Sequence, residues 1–226
     1  YRRVILRWVM EDNIELIVTS IKELTKKRRL VYINYEPAFA LYAAELRKFG
    51  IKDGESVRKE TYDSLIDDVL SKRATVRAMA LLKNKDSTRK GLEDKLRDGY
   101  YPDTCIDYAL EYVTRFGYIN DERFAENYVN FKAGNKPRRQ IELKLKQKGV
   151  DADIISRICD EFYADNCDIE LEQAKLFVER KHIDFANTDY KEIQKVKAAL
   201  YRKGFSMDII NKALDSKGLF IDIIDN

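Results

Sequence analysis

The chain has 226 residues, of which 45% are apolar and 36% charged, with nine glycines and three prolines. That balance permits a sizeable core beneath a strongly charged surface and favours long helices over an all-β fold. Net charge is only +3, so affinity for a polyanion must come from where the charges lie rather than from their sum.

The opening YRRVILRWVM has the charged-then-apolar look of a secretion signal, but charge resumes at Glu11 and Asp12 and no small-residue cleavage site follows. The first methionine is Met10, and residues 1–9 are expected to precede the native start. Residues 14–36 read as a β-hairpin. ELIVTSIKEL and LVYINYE are rich in β-branched and aromatic residues, and TKKRR forms a charged turn between them. AFALYAAELRKFG predicts a short third strand and then a helix closed by Gly50. After the polar turn KDGES the pattern is helical from about Thr61 onward. No apolar run approaches the ~20 residues of a membrane span. Cys105, Cys159 and Cys167 form no CxxC pair, which points to free thiols in a reducing cytoplasm, read as small buried hydrophobes. His182 has no partner at ligand spacing, so neither a metal nor another cofactor is expected.

The helical part repeats itself. Leu96, Leu145 and Leu200, spaced by 49 and 55 residues, align KLRDGYYPDTCIDYAL, KLKQKGVDADIISRIC and ALYRKGFSMDIINKAL without gaps. Apolar residues coincide at Tyr101, Val150 and Phe205, at Ile106, Ile155 and Ile210, and at Leu110, Cys159 and Leu214. In the first copy Gly99 falls one place early and Tyr100 takes the glycine position. A period near 50 residues is that of a helical repeat. In the second copy the helices are expected at 121–132, 137–148 and 151–163. Pro137 would lie in the first turn of the middle helix, Gly149 would be its left-handed terminator and Asp151 the cap of the third. Ile154, Ile155, Ile158 and Phe162 are expected to form the buried stripe of that third helix. The expected fold is mainly α: tandem three-helix repeats in an elongated curved array, with a small N-terminal β-containing extension. The expected divisions are 1–60, 61–116, 117–165 and 166–218, with a tail at 219–226.

Charge is segregated within the second copy: residues 131–149 carry +6, and residues 151–172 carry −7. The middle helices of the other copies share the basic bias. Such rows can track a phosphate backbone or an acidic protein groove; the plainer alternative is solvated helix faces. No phosphate loop, GxGxxG or nucleophile motif is present, and one histidine makes a His-based acid–base pair hard to build. The favoured class is a non-catalytic interaction protein.

GYINDERFAENYV, Gly117 to Val129, closely resembles the hallmark of the RecX family, bacterial regulators of the RecA recombinase. GNKPRRQIELKLKQKGV, Gly134 to Val150, resembles that family's glycine–basic–helix segment, and the likeness runs from about Leu65 to Asp215. The resemblance implies a small cytoplasmic protein of tandem three-helix units. Family members bind RecA filaments along the helical groove and restrain ATP hydrolysis, strand exchange and stimulated self-cleavage of a repressor; some also modulate filament assembly positively. The implied partners are the RecA filament and its single-stranded DNA, with bare DNA a further candidate. The chain itself is expected to be a monomer with no membrane partner. The β-containing start is similar to an extension of some members. Tyr100 and the longer third-copy segment RKHIDFANTDYKE depart from the family pattern.

Bottom-up, Phe124, Tyr128 and Phe131 are spaced to share a buried face, while Arg123 points elsewhere. Candidate contacts to RecA or DNA are Arg123, Lys132, Lys136, Arg138, Arg139, Lys144, Lys146 and Lys148 in the second copy. Arg89 and Lys90 join them from the first copy, and Lys195, Arg202 and Lys203 from the third. Gln140, Lys144 and Lys148 are expected to form an outward row beside buried Ile141 and Leu145. Arg138 and Arg139 at the helix start oppose its dipole, which favours a polyanionic partner, and folding is expected to survive their replacement by glutamate. TKKRR is a weaker candidate, read first as a solvated turn. The competing reading is a helical-repeat nucleic-acid-binding module that acts independently of RecA.

Overall fold

The computed structural model describes residues 15–181 and 189–215. The expectations for residues 1–9 and for His182 lie outside that range. The chain divides into two compact units at Asn120/Asp121.

The first unit opens with an antiparallel sheet in the order β3-β2-β1-β4, built from β1 (Leu16–Glu23), β2 (Arg28–Ile33), β3 (Glu36–Tyr42) and β4 (Ser56–Val57). The expected hairpin and third strand are present; β4, two residues long, carries no sequence signal of its own. Asn34 and Tyr35 link β2 to β3 with φ of 49° and 69°, the double left-handed turn that suits the twist of paired strands. Pro37 is tolerated because β3 lies at the sheet edge. Helix α1 (Ala43–Lys48) ends at Gly50, φ 63°. Then α2 (Lys59–Ser64), a π-helical stretch (Leu65–Ser71) and α3 (Lys72–Asn84) form one continuous helical run, followed by α4 (Arg89–Asp98) and α5 (Asp103–Arg115).

One face of the sheet, bearing Val18, Val31, Phe39 and Leu41, joins the same apolar cluster as Leu65, Leu70, Leu92, Leu96 and Leu110. The boundary expected at residue 60 therefore falls inside one packed body: the sheet alone has too little apolar surface on its own to stand as a domain. Arg28, from the turn read as solvated, points inward and donates from Nη2 to the Gly99 carbonyl at 2.5 Å.

The second unit holds α6 (Asp121–Lys132), α7 (Arg138–Gln147) and α8 (Ala152–Asp165), then α9 (Ile169–Glu179), α10 (Tyr190–Lys203) and α11 (Met207–Asp215). The two trios enclose separate apolar clusters, one around Ile141, Leu145 and Ile158 and one around Leu200, Phe205 and Ile210. Contacts between them include polar ones: Gln140 Nε2 donates to the Lys203 carbonyl at 2.6 Å, and Gln173 donates to the Ala133 carbonyl. Each trio thus has an apolar core of its own.

The threefold sequence echo is a threefold structural motif. Tyr100, Gly149 and Gly204 all have left-handed φ, at 60°, 77° and 100°. The N–H groups of Tyr101, Val150 and Phe205 donate back to the carbonyls of Leu96, Leu145 and Leu200 at 3.4, 3.1 and 3.3 Å. This satisfies carbonyls that a helix end leaves orphaned, and the apolar residue after the turn closes over the leucine. All six of these closing residues and leucines are buried. Tyr100 adopts the glycine geometry in spite of its Cβ. Pro137 is the cap of α7 rather than its first helical residue, with ψ 151°. Asp151 caps α8 as expected, its Oδ1 accepting from the Asp153 N–H at 2.9 Å. The buried stripe of α8 is Ile155, Ile158, Cys159 and Tyr163, with Ile154 and Phe162 at its margin. Cys105 and Cys159 are buried, whereas Cys167 is exposed at the end of the trio, where it was expected to be buried.

The candidate binding surface on the second three-helix unit

The geometry of α7 begins with its cap. Pro137 has no N–H to leave unpaired, and the next donor, the Arg138 N–H, is taken by Glu170 Oε1 at 3.0 Å. The acid that a helix N-terminus favours is therefore supplied from thirty-two positions along the chain. Burial pulls the Arg138 guanidinium down, but hydrogen bonds to Glu142 and Asp160 outweigh it, and its pKa is raised. Nε donates to Glu142 at 2.6 Å, Nη2 to Asp160 Oδ1 at 2.7 Å, and the guanidinium lies 5.7 Å from the Tyr163 ring. Arg138, a candidate contact at the helix start, is thus engaged within the unit: its side chain ties α7 to α8. Burial pushes the nearby Cys159 thiol up to about 11, so it is not a reactive thiolate at neutral pH.

Ile141 and Leu145 are fully buried, as expected. The row beside them is not wholly outward. Gln140 faces the third trio, and Lys148, half-buried, lies 5.5 Å from the Phe124 ring. Lys144 is exposed and donates to Gln147 Oε1 at 2.8 Å. The outward cations of α7 are Arg139, Lys144 and Lys146. Arg139 and Lys146 flank Leu143, which is 55% exposed, and with Glu142, itself paired to Arg138, they line a groove of about 410 Å³ against Ala152, Ile155 and Ser156 of α8. Exposed leucine between two cations combines apolar contact with charge attraction, the mix found in protein interfaces.

Lys136 and Lys203 share a second cavity with Arg180, of about 310 Å³, beside Gln140 and Phe177; Arg180 is a cation the sequence reading missed. Lys203 Nζ lies 4.5 Å from the Phe177 ring, and Arg139 lies 5.7 Å from the ring of Tyr201. Lys195 and Arg202 are exposed on α10. On α6, Arg123 is exposed and Lys132 lies 4.4 Å from the Phe131 ring. Phe131 is 74% exposed, which corrects its expected burial. Phe124 and Tyr128 stack with ring centroids 6.2 Å apart and pack at the margin of the core, to which α6 contributes Ala125 and Val129. In the first unit Arg89 is exposed and donates to Thr114 Oγ1 at 3.1 Å, and Lys90 pairs with Asp94.

Among the described residues no cluster of three or more His, Cys, Asp or Glu side chains is placed to hold a metal ion, and no helix is long and apolar enough to cross a membrane.

Comparison with known proteins places these trios. Residues 120–157 match the model of the RecX second three-helix domain, and residues 168–214 that of the RecX third three-helix domain. A regulatory protein RecX of Caldanaerobacter subterraneus subsp. tengcongensis is 31% identical over 88% of this chain and 98% of its own length. The regulatory protein RecX of Clostridioides difficile is 25% identical over 88% and 94%. The crystal structure of RecX from Lactobacillus salivarius superposes with a TM-score of 0.58 at 27% identity, covering 66% of this chain and 97% of that one. Family models on both trios of the second unit, together with a relative aligned over nearly its whole length, establish that the chain belongs to the RecX family of regulatory proteins.

Proposed function

We propose that the protein binds RecA–DNA filaments and restrains their ATP turnover, strand exchange and co-protease activity, acting in the cytoplasm by binding and without chemistry of its own. Family membership supports the partner. The observation that carries the placement is the outward face of α7, where Arg139 and Lys146 flank the exposed Leu143 beside the groove against α8. Such a face can engage an acidic protein groove or phosphates while Ile141 and Leu145 hold the helix in place. A bound protein slows turnover only to the extent that it binds one filament state more tightly than the other. The three-helix units supply the rigid elements for such a preference.

The test is a titration of RecA filament ATPase on single-stranded DNA with the full chain and with an Arg139→Glu/Lys146→Glu variant. The wild type is expected to slow turnover. The variant, melting like the wild type, is expected to need at least tenfold more protein for the same effect. Equal potency would remove α7 as the contact face. Equal affinity for bare single-stranded DNA and for assembled filament, with a steep salt dependence, would instead mark a nucleic-acid-binding module that acts without RecA.

A further inference from the structure

In the first unit four cations line a single concavity of about 410 Å³: Arg28 from β2, Arg73 and Arg77 from α3, and Lys95 from α4. One carboxylate, Asp98, shares the lining, and Glu45 pairs with Arg73 from outside it. Arg73 and Arg77 are four residues apart on one helix, a like-charge spacing that opposes helix formation. The side chains of Arg77 and Lys95 are exposed and make no hydrogen bond or ion pair among the described residues. Arg28 is held by its bond to the Gly99 carbonyl, and its Nε is buried with no acceptor among the described residues. A buried donor without a partner and like charges converging from three elements are both unfavourable in the empty protein. The convergence of like charge becomes favourable when an anion fills the space.

The walls favour phosphate over a single carboxylate. Arg28 and Arg73 are partly engaged by Gly99 and Glu45, but the unengaged Arg77 fork and Lys95 ammonium together offer more donors than two carboxylate oxygens accept, and guanidinium geometry suits phosphate oxygens. Tyr42, Gly99 and Tyr101 complete the lining; Tyr42 is 41% exposed, and the Arg73 guanidinium lies 4.9 Å from its ring. The volume falls in the range of small-ligand sites, about 300–1,000 Å³. We propose that this cavity is a binding site for a diphosphate group, either as the free ion or as carried by a nucleotide.

The test is calorimetric titration of the full chain, without recombinase or DNA, using pyrophosphate and then ADP. This keeps its outcome separate from that of the filament assay. Pyrophosphate is expected to bind at millimolar concentration or below, more weakly as salt rises. An Arg77→Ala/Lys95→Ala variant is expected to bind it at least tenfold more weakly while melting like the wild type in its absence. Tighter binding of ADP would identify a nucleotide as the natural carrier, and equal binding the free ion; either result supports the site. The proposal is overturned if pyrophosphate does not bind, if the variant binds it equally well, or if an oligodeoxynucleotide lacking terminal phosphates displaces it.

Discussion

Arg138 Nη2 donates to Asp160 Oδ1 at 2.7 Å while its own backbone N–H donates to Glu170 Oε1 at 3.0 Å, so one residue links the start of α7 to α8 and to α9. Glu142 completes the ring of carboxylates around it, at 2.6 Å from Nε. Arg138→Glu would place a fourth carboxylate among three and remove the cation that offsets them. The expected loss is about 2 kcal/mol, read as a lowered denaturation midpoint. Arg139→Glu, on the exposed side of the same turn, is expected to stay within about 0.5 kcal/mol of the wild type. Equal midpoints for the two variants would show that the Arg138 pairs contribute nothing net.

Tyr100 occupies the left-handed position that Gly149 and Gly204 fill in the other copies, at φ 60°. A Cβ in that region costs roughly 1–2 kcal/mol. Substitutions at the three positions should therefore act in opposite directions. Gly149→Ala and Gly204→Ala are expected to lower stability by about 1 kcal/mol. At Gly204 the added Cβ would sit 3.4 Å from Gln140 Cγ, an ordinary contact, so the backbone angle alone carries the penalty. Tyr100→Gly is expected to stabilise by a few tenths of a kcal/mol to about 1, less whatever its half-buried ring contributes. Denaturant midpoints of the three variants check this, and a destabilised Tyr100→Gly would mean the ring outweighs the angle.

The repeat was legible because its signal is local and periodic: leucine, a basic run, glycine and an apolar residue mark a helix end whose hydrogen bonds span only five residues. The same locality explains the correct hairpin and the Asp151 cap. What the sequence hid was every feature set by distant residues. Glu170 reaches the start of α7 from the next trio, so the cations there looked unopposed. Arg28 lies in a run of basic residues that reads as solvated, yet it bonds to Gly99, seventy-one positions away. The sheet shares its core with the first trio through Phe39 and Leu65, a pairing no periodicity announces. On α6 the aromatic residues drew attention by size, but the deepest positions are the small ones.

Those small positions recur. Ala74 and Ala78, Ala125 and Val129, and Ala174 and Val178 are fully buried pairs four residues apart on the first helix of each trio. Small side chains let that helix approach the third helix of its trio closely. Ala125→Leu would push extra methylenes into filled space and is expected to cost about 1–3 kcal/mol. A control, Glu126→Leu on the exposed side of the same helix, is expected to change stability by less than about 0.5 kcal/mol. Equal melting of Ala125→Leu and the wild type would show slack in this packing that the structure does not contain.

Glu170 provides a pH test of the α7 cap. Burial raises its pKa above the ordinary 4.5, more than its hydrogen bond from the Arg138 N–H and the charge of Arg138 lower it, and Glu142 adds to the rise. Below 4.5 the group is protonated in both folded and unfolded chains and has no linked effect. Above 4.5 the unfolded chain releases its proton first, so the folded state binds more protons and stability falls as pH rises. The fall ends once pH passes the folded pKa, after which the penalty is constant. Glu170→Gln keeps an oxygen to accept the Arg138 N–H while removing the charge that burial disfavours. The variant is expected to match the wild type near pH 4 and to gain on it as pH rises, reaching a plateau advantage at neutral pH. Paired thermal melts from pH 4 to 8 measure the difference. A wild type that instead gains on the variant with rising pH would mean that the Glu170 carboxylate is stabilised by Arg138 more than burial opposes it, and that the charge itself holds α7 in place.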